Sequence, residues 1–375
     1  MTSTETRAVP RSAPALPSRR SPRPRSVARS ARRARLLTAV ALVALAGVVA
    51  VAASAGTVDL RPADAARLVL GHLVPGMPWM SDGTYTPLQD QVVWQFRLPR
   101  ALLAALAGAA LSLAGVLIQA VVRNPLAEPA ILGVSSGAGV GAVSVVVLGA
   151  AADAAIGTAA FTGAAVATAA VFLVAYKDGR IAPQRLVLTG VALGTFFSAV
   201  TSYLTITTEA QNVFSVMFFL LGSVSAATMS DLAAPALALV VALVVVTVTG
   251  RSVNALQVGD ETATALGVSV NALRTVLLLT ASLLTGTVVA VAGGIGFVGL
   301  VVPHVARVLV GADHRRLVPV AVTGGALFLC TADLAARTVS APAEVPLGII
   351  TAFIGVPFFL WLMRGRSADE QGMSR

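Results

Sequence analysis

The feature that most constrains this chain is a series of long, continuously apolar segments without charged residues. Residues 237–248, for example, contain only Leu, Val, Ala and one Thr. A helix that crosses a bilayer needs about 20 apolar residues, whereas the strands of a membrane barrel alternate in polarity. The segments therefore predict membrane-spanning helices, and we place ten of them at residues 36–55, 98–121, 131–151, 157–175, 185–206, 232–250, 271–292, 297–311, 317–334 and 345–363.

The composition excludes an ordinary soluble domain. Only 12% of the residues are charged and 56% are hydrophobic, whereas soluble domains carry about 25% charged residues. We expect an all-α polytopic membrane protein with about ten transmembrane helices. Its permease domain would cover residues 36–366, and residues 1–35 and 367–375 would be tails.

The distribution of basic residues predicts the orientation. Lys and Arg are favoured in short cytosolic loops. With both termini in the cytosol, 22 of the 27 basic residues would lie inside. Ten arginines fall within residues 1–35, and we expect this tail to be disordered and to contact anionic lipid. A nucleic-acid or protein partner for the tail is the less favoured alternative. The predicted location is a cell membrane, which the chain crosses many times.

Two short patterns indicate an internal repeat. Leu113-Ala114-Gly115 precedes Asn124-Pro125, and Val291-Ala292-Gly293 precedes Val302-Pro303. The second span runs inward and the seventh runs outward, so the chain would consist of two inverted five-helix halves. Many transporters are built in this way.

The residues of enzyme chemistry are missing from the sequence. The single lysine, Lys177, does not stand in a Gly-x-x-x-x-Gly-Lys-Ser/Thr motif, so the chain cannot form a P-loop. The single cysteine, Cys330, and the three histidines form no pattern of metal ligands. We therefore expect no catalytic residue, metal or cofactor. The spans contain almost no ionisable residue, which disfavours a carrier driven by an ion gradient.

Several motifs in order resemble the FecCD family, the membrane permeases of binding-protein-dependent ABC importers. The resemblance covers about residues 36–365. Its motifs are Arg97-Leu98-Pro99-Arg100, Arg123-Asn124-Pro125-Leu126-Ala127-Glu128-Pro129, Gly259-Asp260-Glu261, Ala265-Leu266-Gly267-Val268, Gly294-Ile295-Gly296-Phe297-Val298-Gly299-Leu300-Val301-Val302-Pro303-His304, Asp313-His314-Arg315 and Glu344-Val345-Pro346-Leu347-Gly348.

The resemblance implies a function and a set of partners. The chain would import an iron–siderophore complex by alternating access, driven by two ABC ATPase subunits that hydrolyse the ATP. A substrate-binding protein or lipoprotein would dock on the outer side, and a second identical or similar permease would complete the pathway. No nucleic acid is expected, and the resemblance implies the bacterial inner or plasma membrane as the location. Vitamin B12 or haem is the alternative substrate, and an ion-coupled secondary carrier is the rival function.

The resemblance also assigns roles to particular residues. It implies that Arg97, Arg100 and Arg337 pair with acidic residues of the binding protein, and such pairs would lie at an exposed rim. The alternative for these arginines is hydrogen bonding at helix ends or contact with lipid phosphate.

Within residues 251–270, the resemblance implies a short coupling helix that contacts the ATPase. Ala263, Leu266 and Val268 would lie near a groove on the ATPase, and the alternative is a solvated loop helix. The coupling residues are Gly259, Asp260, Glu261, Ala263, Ala265, Leu266, Gly267 and Val268.

Two further sets concern the transport path. Asn124, Pro125, Gly296, Gly299 and Pro303 are expected where helices break or turn and frame the path. Small hydroxyl residues in the fifth span would line the path, although such residues also serve ordinary helix packing. These are Thr195, Ser198, Thr201 and Ser202. Residues 209–221 are predicted to contribute to an outer gate.

Overall fold

The computed structural model describes residues 24–56, 58, 60–149, 153–177, 179–341 and 343–372, and this part of the chain is almost entirely helical. The helices are α1 (Pro24–Ser54), α2 (Pro62–Leu73), α3 (Pro87–Gln91), α4 (Leu98–Val122), α5 (Val134–Val147), α6 (Asp153–Ala175), α7 (Pro183–Thr207), α8 (Ala210–Leu221), α9 (Ala233–Val258), α10 (Asp260–Ala265), α11 (Val270–Ala292), α12 (Val298–Val310), α13 (His314–Thr338) and α14 (Leu347–Gly372). Two strands of two residues each, β1 (Tyr176–Lys177) and β2 (Arg180–Ile181), pair as an antiparallel hairpin.

The lengths of the helices confirm a polytopic all-α membrane protein. In the described part of the chain, eight helical segments are long and apolar enough to cross a bilayer. The predicted third and eighth spans are shorter, because α5 has 14 residues and α12 has 13. At 1.5 Å per residue these two helices reach about 20 Å, which is less than the hydrocarbon core of about 30 Å. The inverted relation of the halves and the side that each end faces stay predictions.

The ends of the chain differ from the expected tails. Helix α1 begins at Pro24, so residues 24–35 are helical and the prediction that they are disordered was wrong. Proline is favoured in the first turn of a helix because it lacks a backbone N–H group. Helix α14 extends to Gly372, beyond the predicted boundary at residue 366. Residues 1–23 and 373–375 lie outside the described residues.

Helix α4 is the centre of the fold. It is buried along most of its length and contacts α9, α11, α12 and α13. Glycines allow two of these neighbours to approach closely, as expected for helices in a membrane. A methyl group on Gly108 would lie 2.1 Å from the carbonyl oxygen of Gly325 in α13, and one on Gly115 would lie 1.9 Å from that of Gly299 in α12.

Large apolar side chains cover the outside of the bundle. Val43 in α1, Leu188 in α7, Val248 in α9 and Trp361 in α14 are each at least 70% exposed. Exposed apolar surface of this extent marks a contact with lipid or with another protein. It agrees with the membrane location that the composition predicts.

Candidate functional site

The predicted docking arginines meet at one end of the bundle, where α4 begins and α13 ends. Arg100 donates through Nε to Asp333 Oδ1 at 3.0 Å and Oδ2 at 3.2 Å, and through Nη1 to Glu344 Oε1 at 2.7 Å. The Asp333 side chain is 1% exposed and that of Glu344 is 37% exposed. Charge-assisted hydrogen bonds of this kind are among the stronger side-chain contacts. They tie α4 to α13 and to the segment before α14.

Arg337 is the least satisfied member of this outer cluster, which comprises Arg97, Arg100, Asp333, Arg337 and Glu344. Its Nε lies 3.6 Å from Asp333 Oδ2, which is an ion pair beyond hydrogen-bond reach. The buried Nη2 of Arg337 has no hydrogen-bond partner among the described residues. A buried donor without a partner is costly, so Arg337 has capacity for a further acceptor.

Arg97 serves the end of α1. Its Nη1 donates to the carbonyl oxygen of Ser54 at 2.6 Å and lies 3.4 Å from that of Ala53. Its Nη2 donates to the carbonyl oxygen of Val58 at 2.9 Å. The last carbonyls of a helix lack intrahelical donors, so Arg97 makes the hydrogen bonds at a helix end that were the alternative to docking. The side chains of Arg100 and Arg337 are at most 10% exposed, and Arg97 is 6% exposed. The expectation of an exposed rim was therefore wrong, while the docking role stays a prediction.

The coupling segment contains the expected short helix. Helix α10 is preceded by Gly259 with φ of 140° and is followed by Gly267 with φ of 80°. Both values lie where glycine is favoured over residues with a side chain. Asp260, the first residue of α10, accepts hydrogen bonds from Arg274 of α11 at 2.8 and 3.0 Å. The segment is therefore held on the transmembrane bundle.

The faces of the coupling segment differ from the expected arrangement. Ala263 is fully buried and Val268 packs against the hydrophobic core of the chain. The predicted position of Ala263 beside an ATPase groove was wrong, because the chain itself covers this residue, whereas the position of Val268, which is partly buried, stays a prediction. Leu266 is 69% exposed, and Glu261 and Ala265 are exposed as well. Leu266 is thus an apolar residue that a partner could bury.

The start of α12 is built around a missing hydrogen bond. Pro303 lies inside α12 and has no N–H group to donate to Gly299, four residues earlier. Gln119 of α4 supplies the donor, because its Nε2 lies 3.2 Å from the Gly299 carbonyl oxygen. The absent side chain of Gly115 leaves room for that oxygen. Gly299 is the second residue of α12 and lies beside the predicted break, whereas Pro303 lies within the helix, so its predicted position at a break was wrong.

The breaks themselves lie on either side of these helices. Asn124 and Pro125 occupy the turn after α4, where Asn124 Oδ1 accepts from the backbone N–H of Leu126 at 2.9 Å. Gly296 lies in the segment before α12. A methyl group on Gly296 would lie 3.7 Å from Glu128 Oε1. Glu128 Oε1 accepts a hydrogen bond from the backbone N–H of Phe297. Burial raises the pKa of the Glu128 carboxyl, and the hydrogen bond from Phe297 opposes that shift.

The hydroxyl residues proposed for the path lie on α7. Thr195, Ser198 and Ser202 are exposed, and Thr201 is 6% exposed. Thr195, Thr201 and Ser202 donate to carbonyls of their own helix, and Ser198 Oγ lies 3.3 Å from Ser136 Oγ of α5. Thr201 is covered by neighbouring helices and is not on the open face, so its assignment to that face was wrong.

Sequence reasoning missed several residues that the structure brings together. Asp333 and Glu344 neutralise the outer arginines, Arg274 holds the coupling segment, and Glu128 contacts the start of α12. One signal was available, since Asp333 stands four residues before Arg337 and such pairs face each other on a helix. Among the described residues, no three His, Cys, Asp or Glu side chains meet as a metal site.

Comparison with known proteins connects this architecture to transport. The sequence pattern of the FecCD transport family matches residues 36–365. The cobalamin import system permease BtuC of Halobacterium salinarum is 40% identical over 318 residues, which are 81% of this chain and 85% of the relative. The vitamin B12 import permease BtuC of Escherichia coli O1:K1 is 38% identical over 79% of this chain and 90% of its own. The uncharacterised ABC transporter permease YvrB of Bacillus subtilis is 41% identical over 76% and 81%.

Solved structures agree with the fold. A structure described as an inward-facing conformation of a metal-chelate type ABC transporter has a TM-score of 0.76 at 30% identity. The superposition covers 88% of this chain and 99% of the chain in that structure. The PsaBC protein of Streptococcus pneumoniae, solved with an antibody fragment, has a TM-score of 0.52 at 18% identity over 70% and 89% of the two chains. The second likeness concerns the fold alone.

Proposed function

This chain belongs to the FecCD transport family, and we propose that it carries a cobalamin-type metal chelate into the cell. Its relatives are permease subunits of ABC importers, and it is itself a permease and not an ATP-hydrolysing subunit. The observation that carries the choice of substrate is the identity of 40% and 38% with two permeases named for cobalamin and vitamin B12. The substrate would pass by alternating access between two copies of the permease.

The open face of α7 supports a bulky substrate that is held weakly. The path residues Thr195, Ser198 and Ser202 present hydroxyl groups, and large apolar side chains such as Phe196 and Tyr203 lie beside them. This face carries no charge between Pro183 and Thr207 apart from Arg185 at the start of the helix. A charged or strongly hydrogen-bonding lining would hold a chelate tightly and slow its release.

The iron–siderophore complex that the sequence analysis favoured is the alternative substrate. The transporter described as metal-chelate type, with which this chain shares 30% identity, fits either chelate. No residue of this chain distinguishes the two chelates, so the uptake experiment has to include both.

The proposal includes partners on both sides of the membrane. Two ABC ATPase subunits would bind the coupling segment, where Leu266 is the exposed apolar contact. A substrate-binding protein would dock on the outer cluster, and a second permease copy would face α7. Without a P-loop lysine this chain needs the ATPases for its energy.

Within the outer cluster, we propose that Arg337 is the main donor to a carboxylate of the binding protein, because its Nη2 is unpartnered and Asp333 is already shared with Arg100. Arg100 would exchange Glu344, its more exposed partner, for a carboxylate of the binding protein. Arg97 would add positive charge nearby while it holds the end of α1.

An uptake experiment tests the substrate. Cells with and without the gene receive radiolabelled cobalamin and, separately, a radiolabelled ferric siderophore. Loss of cobalamin uptake alone, restored by the wild-type gene, is the expected result. Loss of siderophore uptake alone would keep the importer and replace the substrate. Unchanged uptake of both would overturn the substrate proposal.

A binding experiment tests the docking site. The permease–ATPase complex is purified and its affinity for the binding protein is measured. Arg337→Gln is expected to weaken the affinity about thirtyfold or more, as truncating one side of a buried charge pair does. Arg61→Gln is the matched control, because Arg61 is exposed in the segment before α2. Equal affinity of the Arg337→Gln variant and the wild type would remove Arg337 from the docking site.

A further inference from the structure

One carboxylate of the coupling helix α10 forms its polar contacts with the bundle. Asp260 accepts two hydrogen bonds from the guanidinium of Arg274, and its Oδ1 lies 3.5 Å from Nη1 of Arg123. The side chain of Arg274 is 3% exposed, whereas those of Arg123 and Asp260 are 40% and 41% exposed. Asp260 thus joins α10 to α11 on one side and to the end of α4 on the other.

The turn that follows α4 is compact and tied internally. Arg123 has φ of 54°, in the left-handed region that ends many helices. The backbone N–H of Ala127 donates to the Asn124 carbonyl at 3.1 Å, and the N–H of Ile131 donates to the Glu128 carbonyl at 3.1 Å. The first bond and the one from the Leu126 N–H to Asn124 Oδ1 close the turn between Arg123 and Glu128, and the second bond joins Glu128 to the segment before α5. The two side chains therefore lie at the two ends of one internally bonded turn.

The far end of this turn reaches α12. The Glu128 carboxylate accepts from the backbone N–H of Phe297, the residue before α12. An oxygen acceptor at a helix start pairs with an N–H group that the helix itself leaves without a partner. The ring of Phe297 fills the space left by Gly355 in α14, since a methyl group there would lie 2.3 Å from the ring carbon Cγ. A displacement of Glu128 would therefore act on α12 and α14 together.

We infer that residues 123–133, the α4–α5 turn, are a rigid tie that transmits displacement of the coupling helix α10 to the start of α12. Arg123 is the positioning residue at one end of the tie and Glu128 at the other. The inference rests on the proposed function, in which a partner ATPase moves α10. Contiguous ion pairs and hydrogen bonds between rigid elements carry such coupling.

The test uses the complete importer, reconstituted in proteoliposomes with its ATPase and binding protein. The measured quantity is the amount of cobalamin imported per ATP hydrolysed. Arg123→Gln and Glu128→Ala are each expected to lower this ratio about fivefold or more, the size of typical coupling between distant sites. Arg123→Lys keeps the positive charge and Glu128→Gln keeps the acceptor oxygen, so both are expected to retain most of the ratio.

Two controls separate coupling from stability and from the proposed function. Arg316→Gln breaks another arginine–aspartate pair, in which Arg316 Nη2 lies 3.2 Å from Asp313 Oδ2. This pair does not contact the turn, so the variant is expected to leave the ratio unchanged. The amount of assembled complex is measured for each variant by size-exclusion chromatography. A wild-type importer that moves neither cobalamin nor a ferric siderophore would overturn the proposed function instead of the tie.

The double variant distinguishes one route from two. If Arg123 and Glu128 act in series, Arg123→Gln combined with Glu128→Ala lowers the ratio no further than the stronger single variant, since residues in one network are not additive. If the double variant lowers the ratio by the product of the two single losses, Arg123 and Glu128 act independently, and this result would overturn the tie. An unchanged ratio in the Arg123→Gln importer, with normal assembly, would overturn it as well. Arg123 is 40% exposed at its side chain, so this variant is expected to fold.

Discussion

Arg100 and Asp333, which are 233 residues apart in the sequence, form a buried bifurcated hydrogen bond, with the guanidinium Nε 3.0 Å from Oδ1 and 3.2 Å from Oδ2. The pair joins the start of α4 to the late part of α13. Asp333 also lies 3.6 Å from Arg337. One carboxylate thus serves two arginines at the end of the bundle where we place the binding protein.

Removal of this carboxylate is expected to destabilise the fold. Asp333→Ala leaves two buried arginines without their shared partner, and breaking a buried pair from one side costs about 3–5 kcal/mol. Thermal unfolding of the purified permease in detergent measures the loss. Glu344→Gln is the comparison variant, because its carboxylate bonds to the same arginine but is 37% exposed. Equal losses for the two variants would contradict the central role of Asp333.

The close approach of α4 and α12 predicts a strong effect of one methyl group. Gly115→Ala places a methyl 1.9 Å from the Gly299 carbonyl oxygen, and overpacking of a tight contact costs about 1–3 kcal/mol or more. Gly250→Ala in α9 is the matched control, since no atom lies within 4 Å of the added methyl. We expect a lower unfolding temperature for the first variant and an unchanged or higher one for the second. A reversed order would refute the packing argument.

The coupling segment predicts two different outcomes for the same kind of substitution. Leu266→Glu puts a charge on a side chain that is 69% exposed, so the permease is expected to fold but to lose the ATPase during copurification. Ala263→Glu buries a charge in a fully covered position, so it is expected to reduce the amount of folded permease. Retention of the ATPase by Leu266→Glu would exclude Leu266 from the contact.

The buried carboxyl of Glu128 predicts a dependence of stability on pH. Burial raises its pKa in the folded state above the usual value of 4.5, so the folded chain holds this proton more tightly than the unfolded chain. The stabilising contribution is complete below pH 4.5 and is lost as the pH rises through the folded-state pKa. Glu128→Gln removes this titration, so the wild type is expected to lose stability relative to the variant as the pH rises towards neutral. Parallel curves of unfolding temperature against pH would contradict this sign.

Much of the candidate site could be placed from the sequence, but not its contacts. The family resemblance implied a short coupling helix, and α10 lies between Gly259 and Gly267. Ala263 and Leu266 were both expected to face the ATPase, yet one is buried and the other exposed. A six-residue helix has too little sequence to reveal which side the rest of the chain will cover.

The outer arginines show the same limit. Their position at the ends of α4 and α13 was predictable from the motif and from the apolar segments beside them. Their burial was not, because it depends on Asp333, on Glu344 and on carbonyls at the end of α1 that are distant in sequence.

The sequence by itself determined that this protein is a helical bundle in a membrane. The reason is local: each backbone N–H and C=O group must be paired within its own segment in lipid, so an apolar run of sufficient length becomes a helix whatever surrounds it. Only the tertiary structure decided which charges are neutralised and which faces stay open. Those outcomes depend on distances between segments far apart in the chain, such as Glu128 with Phe297 and Arg100 with Asp333, and no local pattern encodes such distances.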